Sequence, residues 1–370
     1  MDFSLTEEQK MLQGGAREFL EKECPSALVR EMEEAELGYS PELWQKMAGL
    51  GWLGLPFARE YGGEDWKFLD LVLLVEEMGA VLLPAPFIPT MLGGLAIVNF
   101  GSEDQKRTFL PAIAKGELII TQALYESNLK LDEDSVASRA KPSGDAFLLK
   151  GSKTFVPDFQ AADKFLVSAR TNKGVSVFIL DIKSSGLRAE PLTTLASDKQ
   201  WDVFLDGARA TPEALLGEDG RGWTVVSRLL EWGACLLCAY MAGAGQRVVD
   251  MTTDYGKQRI QFGRPIATFQ ATSHRLVDML LAAEGAKFIT YQAAWKLSQG
   301  LPAGFEVAAA KAFTGKSFHK ITEDALRIYG ALGSAQECDI QLYYRRATAL
   351  ELYLGDPHLH QEKIAQLMGI

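Results

Sequence analysis

Two long apolar segments without proline, residues 223–255 and 271–297, constrain this chain most. Both are rich in Ala, Leu, Met and Val, which favour helix. The segment between them, residues 257–270, contains Gly263 and Pro265, which end one helix and let the next begin. Two helices of this length joined by a short turn predict a helical domain in the C-terminal part of the chain.

The joining segment also contains residues that could bind a ligand. Arg259 and Arg264 place two permanent cations on a tight turn, and arginine makes bidentate contacts with phosphate or carboxylate oxygens. Phe262 lies between them and offers a flat apolar face. Two interpretations follow from the spacing: a turn that receives a phosphorylated aromatic cofactor, and a helix hairpin whose arginines are solvated.

The hydrophobic pattern changes twice along the chain. Ser4–Thr6, Ser40-Pro41 and Ser102 are typical helix starts in the first third. A strongly apolar run at 65–83 predicts a further helix. Short alternating runs separated by Gly and Ser turns follow from residue 119, and they predict strands at 119–124, 146–150, 153–156, 164–169, 175–181 and 202–205. We therefore predict an α+β fold with an N-terminal helical domain at 1–118, a β domain at 119–220 and a C-terminal helical domain of the four-helix-bundle type at 221–370.

Composition excludes several classes of protein. The net charge of −10 argues against a nucleic-acid or anionic-membrane partner. Four cysteines in 370 residues are too few for a disulfide framework, and Cys235 and Cys238 lie in an apolar helical run, so we interpret them as buried thiols. The first residues lack the pattern of a secretory signal, and no run of eighteen apolar residues suggests a membrane span. These features predict a cytoplasmic protein.

Single motifs do not identify an enzyme. No zinc-ligand spacing, P-loop or G-x-S-x-G occurs, and we predict no metal site. His358 and His360 are close in sequence, but we interpret them as a satisfied surface or interface pair. Gly243-Ala244-Gly245 lies within a predicted helix and follows no strand, so it is not interpreted as a dinucleotide fingerprint.

The chain as a whole resembles the acyl-CoA dehydrogenase family of flavoproteins, and the resemblance covers essentially its whole length. Each motif is weak alone, and together they are specific. They are FSLTEEQ at 3–9, GLGWLGLPFAREYGG at 49–63, FGSEDQKRTFLPAIAKGEL at 100–118, GSKTFV at 151–156, RIQFGRPIATFQ at 259–270, RIYGALG at 327–333 and RRATALELYLG at 345–355.

The resemblance implies an activity and a cofactor. The family removes two hydrogens across the α,β carbons of an acyl-CoA thioester, with a carboxylate as the base and FAD as the hydride acceptor. Electron-transfer flavoprotein is the implied redox partner. In the family, Arg259 and Phe262 would reach a neighbouring subunit's FAD, and Glu231 would contact the CoA arm. The other implied cofactor-side residues are Gln270, Gly330, Gly333, Gly355 and Asp356.

The chain departs from the family at the base. Leu354 occupies the usual position of the catalytic carboxylate in a turn near the C-terminus. Some members place the base on the long helix before the hinge, and that position is Gly233 here. Neither residue can abstract a proton. The catalytic residue is therefore unknown, and Glu351 and Asp356 are the nearest acids in sequence.

The flavin-facing stretches of the β domain differ as well. Tyr125 stands where the family has a threonine, and Leu131 where it has a serine. Phe155 and Pro157 replace the tryptophan and threonine of a flavin wall, and Arg327 replaces a cofactor-binding glutamine. Tyr125 and Phe155 nevertheless remain the expected cofactor-facing positions, because the motifs around them match the family.

Three hypotheses follow. The chain is a dehydrogenase with a relocated base, or one subunit of a hetero-oligomer whose homologous partner supplies the base, or a flavoprotein of this fold that carries out base-free chemistry on an acyl-CoA. Members acting on bulky steroid side chains assemble from two homologous chains, so fatty acid or steroid degradation is the expected context. The apolar C-terminal helices predict a dimer of dimers or a mixed tetramer.

Overall fold

The computed structural model describes residues 4–370, so Phe3 of the first family motif lies outside the described residues. Helical segments precede and follow a central sheet, which confirms the predicted fold class. The first six helices are α1 (Glu7–Glu23), α2 (Ser26–Glu34), α3 (Pro41–Gly49), α4 (Phe68–Ala80), α5 (Phe87–Phe100) and α6 (Glu103–Ala114). The sequence predicted a longer α4, and it begins at Phe68 because residues 62–67 form a loop.

The predicted helix starts are built as the sequence indicates. The side chain of Thr6 accepts the backbone N–H of Gln9, and the Gln9 side chain returns to the Thr6 backbone. Ser102 and Gln105 form the same capping box at the start of α6. Ser40 accepts the N–H of Leu43 directly before the proline that opens α3. These local bonds satisfy amide groups that have no partner within the helix.

The central sheet has more strands than the sequence predicted. Its strands are β1 (Ile120–Ala123), β2 (Arg139–Ser143), β3 (Ala146–Pro157), β4 (Lys164–Arg170), β5 (Val175–Asp181), β6 (Leu187–Leu192), β7 (Gln200–Ala210) and β8 (Leu215–Leu216). Their order is β6-β7-β3-β2-β4-β5-β8, and β1 pairs with β4 in parallel. The two runs predicted at 146–150 and 153–156 are one strand. β2 and β6 were missed because they are mostly exposed, polar and contain proline, so tertiary pairing decides them.

The C-terminal part consists of long helices and one small hairpin. It contains α7 (Gly222–Gln258), β9 (Ile260–Gln261), β10 (Arg264–Pro265), α8 (Gln270–Ser298), α9 (Gly304–Tyr329), α10 (Ile340–Leu352) and α11 (Pro357–Met368). By length and composition α7 could cross a membrane, but 78% of its apolar window is buried inside the protein, as in a core helix. Cys235 and Cys238 on α7 are buried free thiols, and burial raises the pKa of Cys238 to about 12.

The chain forms two compact units. Unit 1 contains the residues up to Arg30, Phe68–Leu83 and Ala234–Ile370, and unit 2 contains Glu31–Lys67 and Pro84–Gly233. Unit 1 therefore joins N-terminal helices to the C-terminal bundle. The division of the chain into three domains at 118 and 220 remains a prediction.

The helices α4 and α7 cross within unit 1 at two glycines. A Cβ on Gly79 would lie 1.9 Å from the carbonyl oxygen of Tyr240, and one on Gly243 would lie 1.8 Å from that of Glu76. Real Cβ atoms do not approach oxygen this closely, so both positions require glycine. This backbone contact explains the glycine-rich stretch at 243–245, which belongs to helix packing.

Candidate functional site

The hinge between α7 and α8 is a β-hairpin, where the sequence predicted only a tight turn. β9 and β10 pair in antiparallel fashion, and Phe262 and Gly263 form the two-residue connection with φ of +53° and +79°. Positive φ at both positions is the geometry that lets a two-residue loop follow the twist of its strands. The turn leaves Phe262 93% exposed, and Arg259 beside it is exposed too. Arg264 instead lies 4.1 Å over the ring of Phe269.

Unit 1 places the hairpin and the Gly330 turn at the same end. The ring of Tyr255, one turn before the hairpin, stacks on Tyr329 at 4.1 Å, and the Tyr329 hydroxyl donates to the carbonyl of Met251. Gly330 follows with φ 64° and ψ −143°, a combination that is essentially reserved for glycine. Arg259 and Gly330, both predicted on the cofactor side, are thus tied to one stacked aromatic pair.

Two other predicted cofactor residues lie at element ends. Gln270 is the first residue of α8 and is exposed. Gly333 lies in a short 3-10 helix, Gly330–Ser334, where a Cβ would come within 2.9 Å of the Tyr329 side chain. A larger residue at 333 would therefore crowd Cβ of Tyr329, whose ring stacks on Tyr255.

The turn at the family's usual base position is held by hydrogen bonds. Leu354 has φ +56° and its side chain is only 4% exposed. The ammonium of buried Lys311 donates to the carbonyls of Leu350, Glu351 and Gly355 at 2.9–3.1 Å. The His360 Nε2–H donates to the Leu354 carbonyl at 3.0 Å. These bonds hold the backbone of the turn against α9 and α11. No other side chain of the turn can therefore take the position of Leu354.

Burial sets the protonation of the two groups that hold this turn. It lowers the pKa of Lys311 to about 8 and the pKa of His360 to about 4, so the imidazole is neutral at pH 7. His360 is therefore a buried structural residue, and the prediction of a surface or interface pair with His358 is wrong for it. A Cβ on Gly355 would lie 2.8 Å from His360 Nε2, which explains the glycine.

Both acids nearest the base position have partners. Glu351 Oε2 lies 2.5 Å from Nδ1 of His319, and both side chains are partly exposed. Asp356 accepts the N–H of Leu359 at 2.8 Å and caps α11. Asp356 thus has a structural task that accounts for an acid at this point of the chain.

In unit 2 the two predicted flavin-facing positions come together. The rings of Tyr125 and Phe155 meet edge to face with centroids 6.3 Å apart, and the Thr154 N–H donates to the Tyr125 carbonyl. Tyr125 is buried, while Phe155 is partly exposed and has φ +51°. Unit 2 also contains Glu231, which pairs with Arg228 at 2.9 Å, and Gly233, which is buried in α7.

A buried ion pair that sequence reasoning missed orders the segment after Tyr125. The Lys153 ammonium donates to Glu126 at 2.7 Å and to Ser168 at 3.0 Å. The Glu126 carboxylate also accepts the N–H groups of Ala137 and Ser138. Burial favours the neutral acid, but the ammonium and these donors hold the pKa of Glu126 below its ordinary value. The available signal was a lysine at an inward position of an alternating strand.

Removal of Lys153 is expected to destabilise unit 2 strongly. Lys153→Met leaves the Glu126 charge buried without its partner, which typically costs about 3–5 kcal/mol. Thermal unfolding measures the effect, and the double variant Lys153→Met/Glu126→Gln should recover part of it. The matched control is Lys150→Met on the same strand, because its pair with Asp206 is solvent-exposed and worth at most about 1 kcal/mol. Equal losses for the two lysines would contradict this account.

The residues of unit 1 fit a flavin dinucleotide better than those of unit 2. An exposed aromatic ring and an exposed arginine on one hairpin suit an aromatic, phosphorylated group, and Gly330 leaves open space beside its backbone. The Tyr125 and Phe155 positions in unit 2 carry two rings in place of the small hydroxyl and the indole of the family. In this chain, the residues whose chemistry suits the cofactor are therefore the ones that project outward from unit 1.

Comparison with known proteins shows which family the chain matches. The model of the acyl-CoA dehydrogenase N-terminal domain matches residues 6–117, and that of the C-terminal domain matches residues 220–369. The 3-(aryl)acrylate reductase of Clostridium sporogenes is 31% identical over 97% of this chain and 98% of its own.

Two solved structures extend the likeness. The structure of PigA with FAD and proline has a TM-score of 0.92 and 25% identity, and it covers 100% of this chain and 99% of its own. The ChsE4–ChsE5 complex from Mycobacterium tuberculosis has a TM-score of 0.93 and 26% identity over 100% and 99% of the two chains. The protein described here belongs to the acyl-CoA dehydrogenase family, whose members are FAD-dependent oxidoreductases acting on CH–CH bonds.

Proposed function

We propose that this chain is one subunit of a hetero-oligomeric acyl-CoA dehydrogenase. A homologous partner chain supplies the catalytic carboxylate, and this chain lends Arg259 and Phe262 to the partner's FAD. The assembly dehydrogenates an acyl-CoA thioester at its α,β carbons in the cytoplasm and passes the electrons to an electron-transfer flavoprotein. The observation that carries the proposal is Leu354, a buried hydrocarbon at the base position of a turn fixed by four hydrogen bonds.

The proposed reaction needs a group that this chain lacks. A base must take the α proton within hydrogen-bond reach while FAD, when bound, accepts the β hydrogen as hydride. Leu354 has no lone pair and Gly233 has no side chain. Asp356 is engaged as a helix cap, and Glu351 is held by His319, so moving either acid would break an existing contact.

The hairpin supports the second part of the proposal. The turn leaves Phe262 93% exposed, with an edge-to-face contact to Phe269 at 6.1 Å between ring centroids. Full burial of such a side chain is worth about 1.5–3 kcal/mol. Phe262 and Arg259 are therefore placed to make contacts outside this chain.

An exposed apolar row on α8, defined by Leu281, Phe288 and Trp295, supports assembly with another chain. These residues recur every seven positions and are 65%, 42% and 38% exposed. A seven-residue apolar spacing is the pattern with which one helix packs along another. Because Phe313 on α9 is also exposed, the apolar surface is wider than one row, as in protein interfaces. The proposed assembly is a mixed tetramer.

Co-expression with a homologue that carries the missing glutamate tests the proposal. We expect the two chains to co-purify as a flavin-loaded complex that oxidises an acyl-CoA with an artificial electron acceptor. The chain expressed alone is expected to show little activity. A homo-oligomer of this chain that works at rates ordinary for the family would overturn the proposal.

Arg259→Ala is expected to weaken FAD binding by the complex at least tenfold, because a charge-assisted arginine–phosphate bond is worth about 1.5–3 kcal/mol. Flavin absorbance per protein after dialysis measures the loss. Lys257→Ala is the matched control, since Lys257 lies two residues away and is exposed beside Asp254. Equal flavin content in the two variants would remove Arg259 from the cofactor site.

A second candidate function is an active dehydrogenase with a relocated base, and the Glu351–His319 contact favours it. A carboxylate hydrogen-bonded to an imidazole is an arrangement that serves proton abstraction. If the chain alone proves active, Glu351→Gln should then lower its rate by about 10²–10⁴-fold. Retention of the rate after that substitution would exclude Glu351 as the base.

A further inference from the structure

Two neighbouring carboxylates of α4 are buried side by side in unit 1. Glu76 is 8% exposed and Glu77 is 3% exposed. Arg17 of α1 donates to both oxygens of Glu77 at 2.8 and 2.9 Å, so the charge of Glu77 has a bidentate partner. In the part of the chain that the structure describes, Glu76 has no such cation, because the ammonium of Lys287 on α8 lies 3.8 Å from its carboxylate. Glu76 therefore carries the less compensated charge of the two.

A tyrosine completes the surroundings of the Glu76 carboxylate. The hydroxyl of Tyr291, on α8, donates to Glu76 Oε2 at 2.5 Å, and Gln13 of α1 donates to the same hydroxyl at 3.4 Å. The Lys287 ammonium lies 5.7 Å from the centre of the Tyr291 ring. The Glu76 side chain thus joins α4 to α8 directly and to α1 through one hydroxyl. Its charge consequently acts on the packing of three helices.

Glu76 also lines a cavity of about 680 Å³, and all the lining residues belong to unit 1. The other charged or titratable side chains around this cavity are Arg17, Glu21 and Cys24 from α1, Glu77 from α4, Arg247 and Asp250 from α7, and Asp339 and Tyr343 from the start of α10. With Glu76 counted, carboxylates outnumber arginines by five to two. Burial and this surplus of negative charge both favour the neutral acid. Because Glu21 and Asp250 are exposed, the cavity communicates with solvent and a proton can reach Glu76.

We propose that Glu76 is a pH-sensitive switch in unit 1, and that its uptake of a proton tightens the packing of α1 and α8 against α4. Burial raises the pKa of Glu76 from an ordinary value of 4.5 to about 6, although Lys287 and the Tyr291 hydroxyl act in the opposite direction. The closed packing therefore has its full advantage below about pH 4.5 and loses it as the pH rises through about 6. The proposal does not rest on the half-site function, because the cluster lies within one unit.

Hydrogen exchange of the full chain, measured in α1 peptides by mass spectrometry, tests the proposal. After correction for intrinsic exchange rates, the parent should be about eightfold more protected at pH 5 than at pH 7. Linkage gives this factor for a pKa of 4.5 in the open packing and of about 6 in the closed packing. Glu76→Gln keeps the shape of the side chain without its charge, so at both pH values it should be protected as strongly as the parent at pH 5. The matched control is Glu18→Gln, which removes an exposed carboxylate from α1 and should behave as the parent does.

Lys287→Met decides the question if Glu76→Gln does not fold. The Lys287 side chain is 36% exposed, and its removal withdraws a charge that favours ionised Glu76. The pH at which the protection of α1 changes should therefore rise, whereas a merely structural loss would lower protection without moving that pH. Protection of the parent that does not depend on pH, the same dependence in Glu76→Gln, or an unmoved transition in Lys287→Met would each overturn the switch.

Discussion

Leu354→Glu is expected to raise acyl-CoA oxidation per bound FAD by about 10²–10⁴-fold over the parent chain, because a positioned general base contributes that much. The turn that carries position 354 is held by Lys311 and His360, so the new side chain would replace leucine without moving the backbone. Position 354 has a φ of +56°, and leucine and glutamate are strained alike by it because both carry a Cβ. The substitution therefore adds no new backbone strain. Burial would raise the pKa of the introduced carboxyl toward neutrality, which suits a base.

Two controls accompany this experiment. Leu354→Gln has the same length as the glutamate variant and cannot accept the proton. Leu352→Glu adds a carboxylate two residues earlier, where the side chain is 60% exposed. Activity is measured with excess FAD and divided by the flavin bound in each sample. Equal activity of the Glu and Gln variants in flavin-loaded samples would show that position 354 does not face the reacting carbons.

Gly243→Ala is expected to destabilise unit 1 by at least about 3 kcal/mol. Overpacked cores typically lose about 1–3 kcal/mol, and here the added methyl would meet backbone, which no rotamer change relieves. The obstructing atom is the carbonyl oxygen of Glu76, whose own side chain is held by the hydroxyl of Tyr291. At the size of this chain, that loss lowers the melting midpoint by about 4 °C. Scanning calorimetry measures the shift of the melting midpoint. A larger destabilisation than this would show as a loss of soluble protein.

Gly245→Ala is the matched control for this prediction. It lies two residues along the same helix, and its added Cβ would sit 3.4 Å from Ile321 and 3.7 Å from Phe318, which is ordinary contact. Alanine is favoured over glycine in a helix by up to about 1 kcal/mol, so this variant should melt at or above the parent midpoint. A parent-like midpoint for Gly243→Ala would mean that α4 and α7 do not cross at these glycines.

Much of the fold could be predicted from local sequence. The capping boxes at Thr6 and Ser102 act over four residues, and the helices they begin lie where the sequence indicates. The strands β4 and β5 also agree closely, because they alternate in β-branched and apolar residues. β2 and β6 could not be found in this way, since their polar residues form strands only through neighbours that arrive from elsewhere in the chain.

Some residues of the candidate site could likewise be predicted from the sequence, and others could not. The leucine at the family's usual base position, Leu354, and the pair Arg259 and Phe262 could be singled out in the sequence, because family motifs mark their positions. Their cofactor roles remain predictions. The sequence did not indicate that His360 is buried, since two nearby histidines in a polar segment look the same on a surface as in a core. It also did not indicate the Lys153–Glu126 pair, whose members lie 27 residues apart.

The sequence by itself determined the helix-sheet-helix order, the helix starts and the absence of a carboxylate at both family positions, because these depend on residue identity and short spacing. Only the tertiary structure decided the rigid turn around Leu354, the glycine contact of α4 with α7 and the buried cluster around Glu76. Each of these joins residues from different elements. Contacts of that kind depend on how the elements pack in three dimensions, which local propensity does not encode.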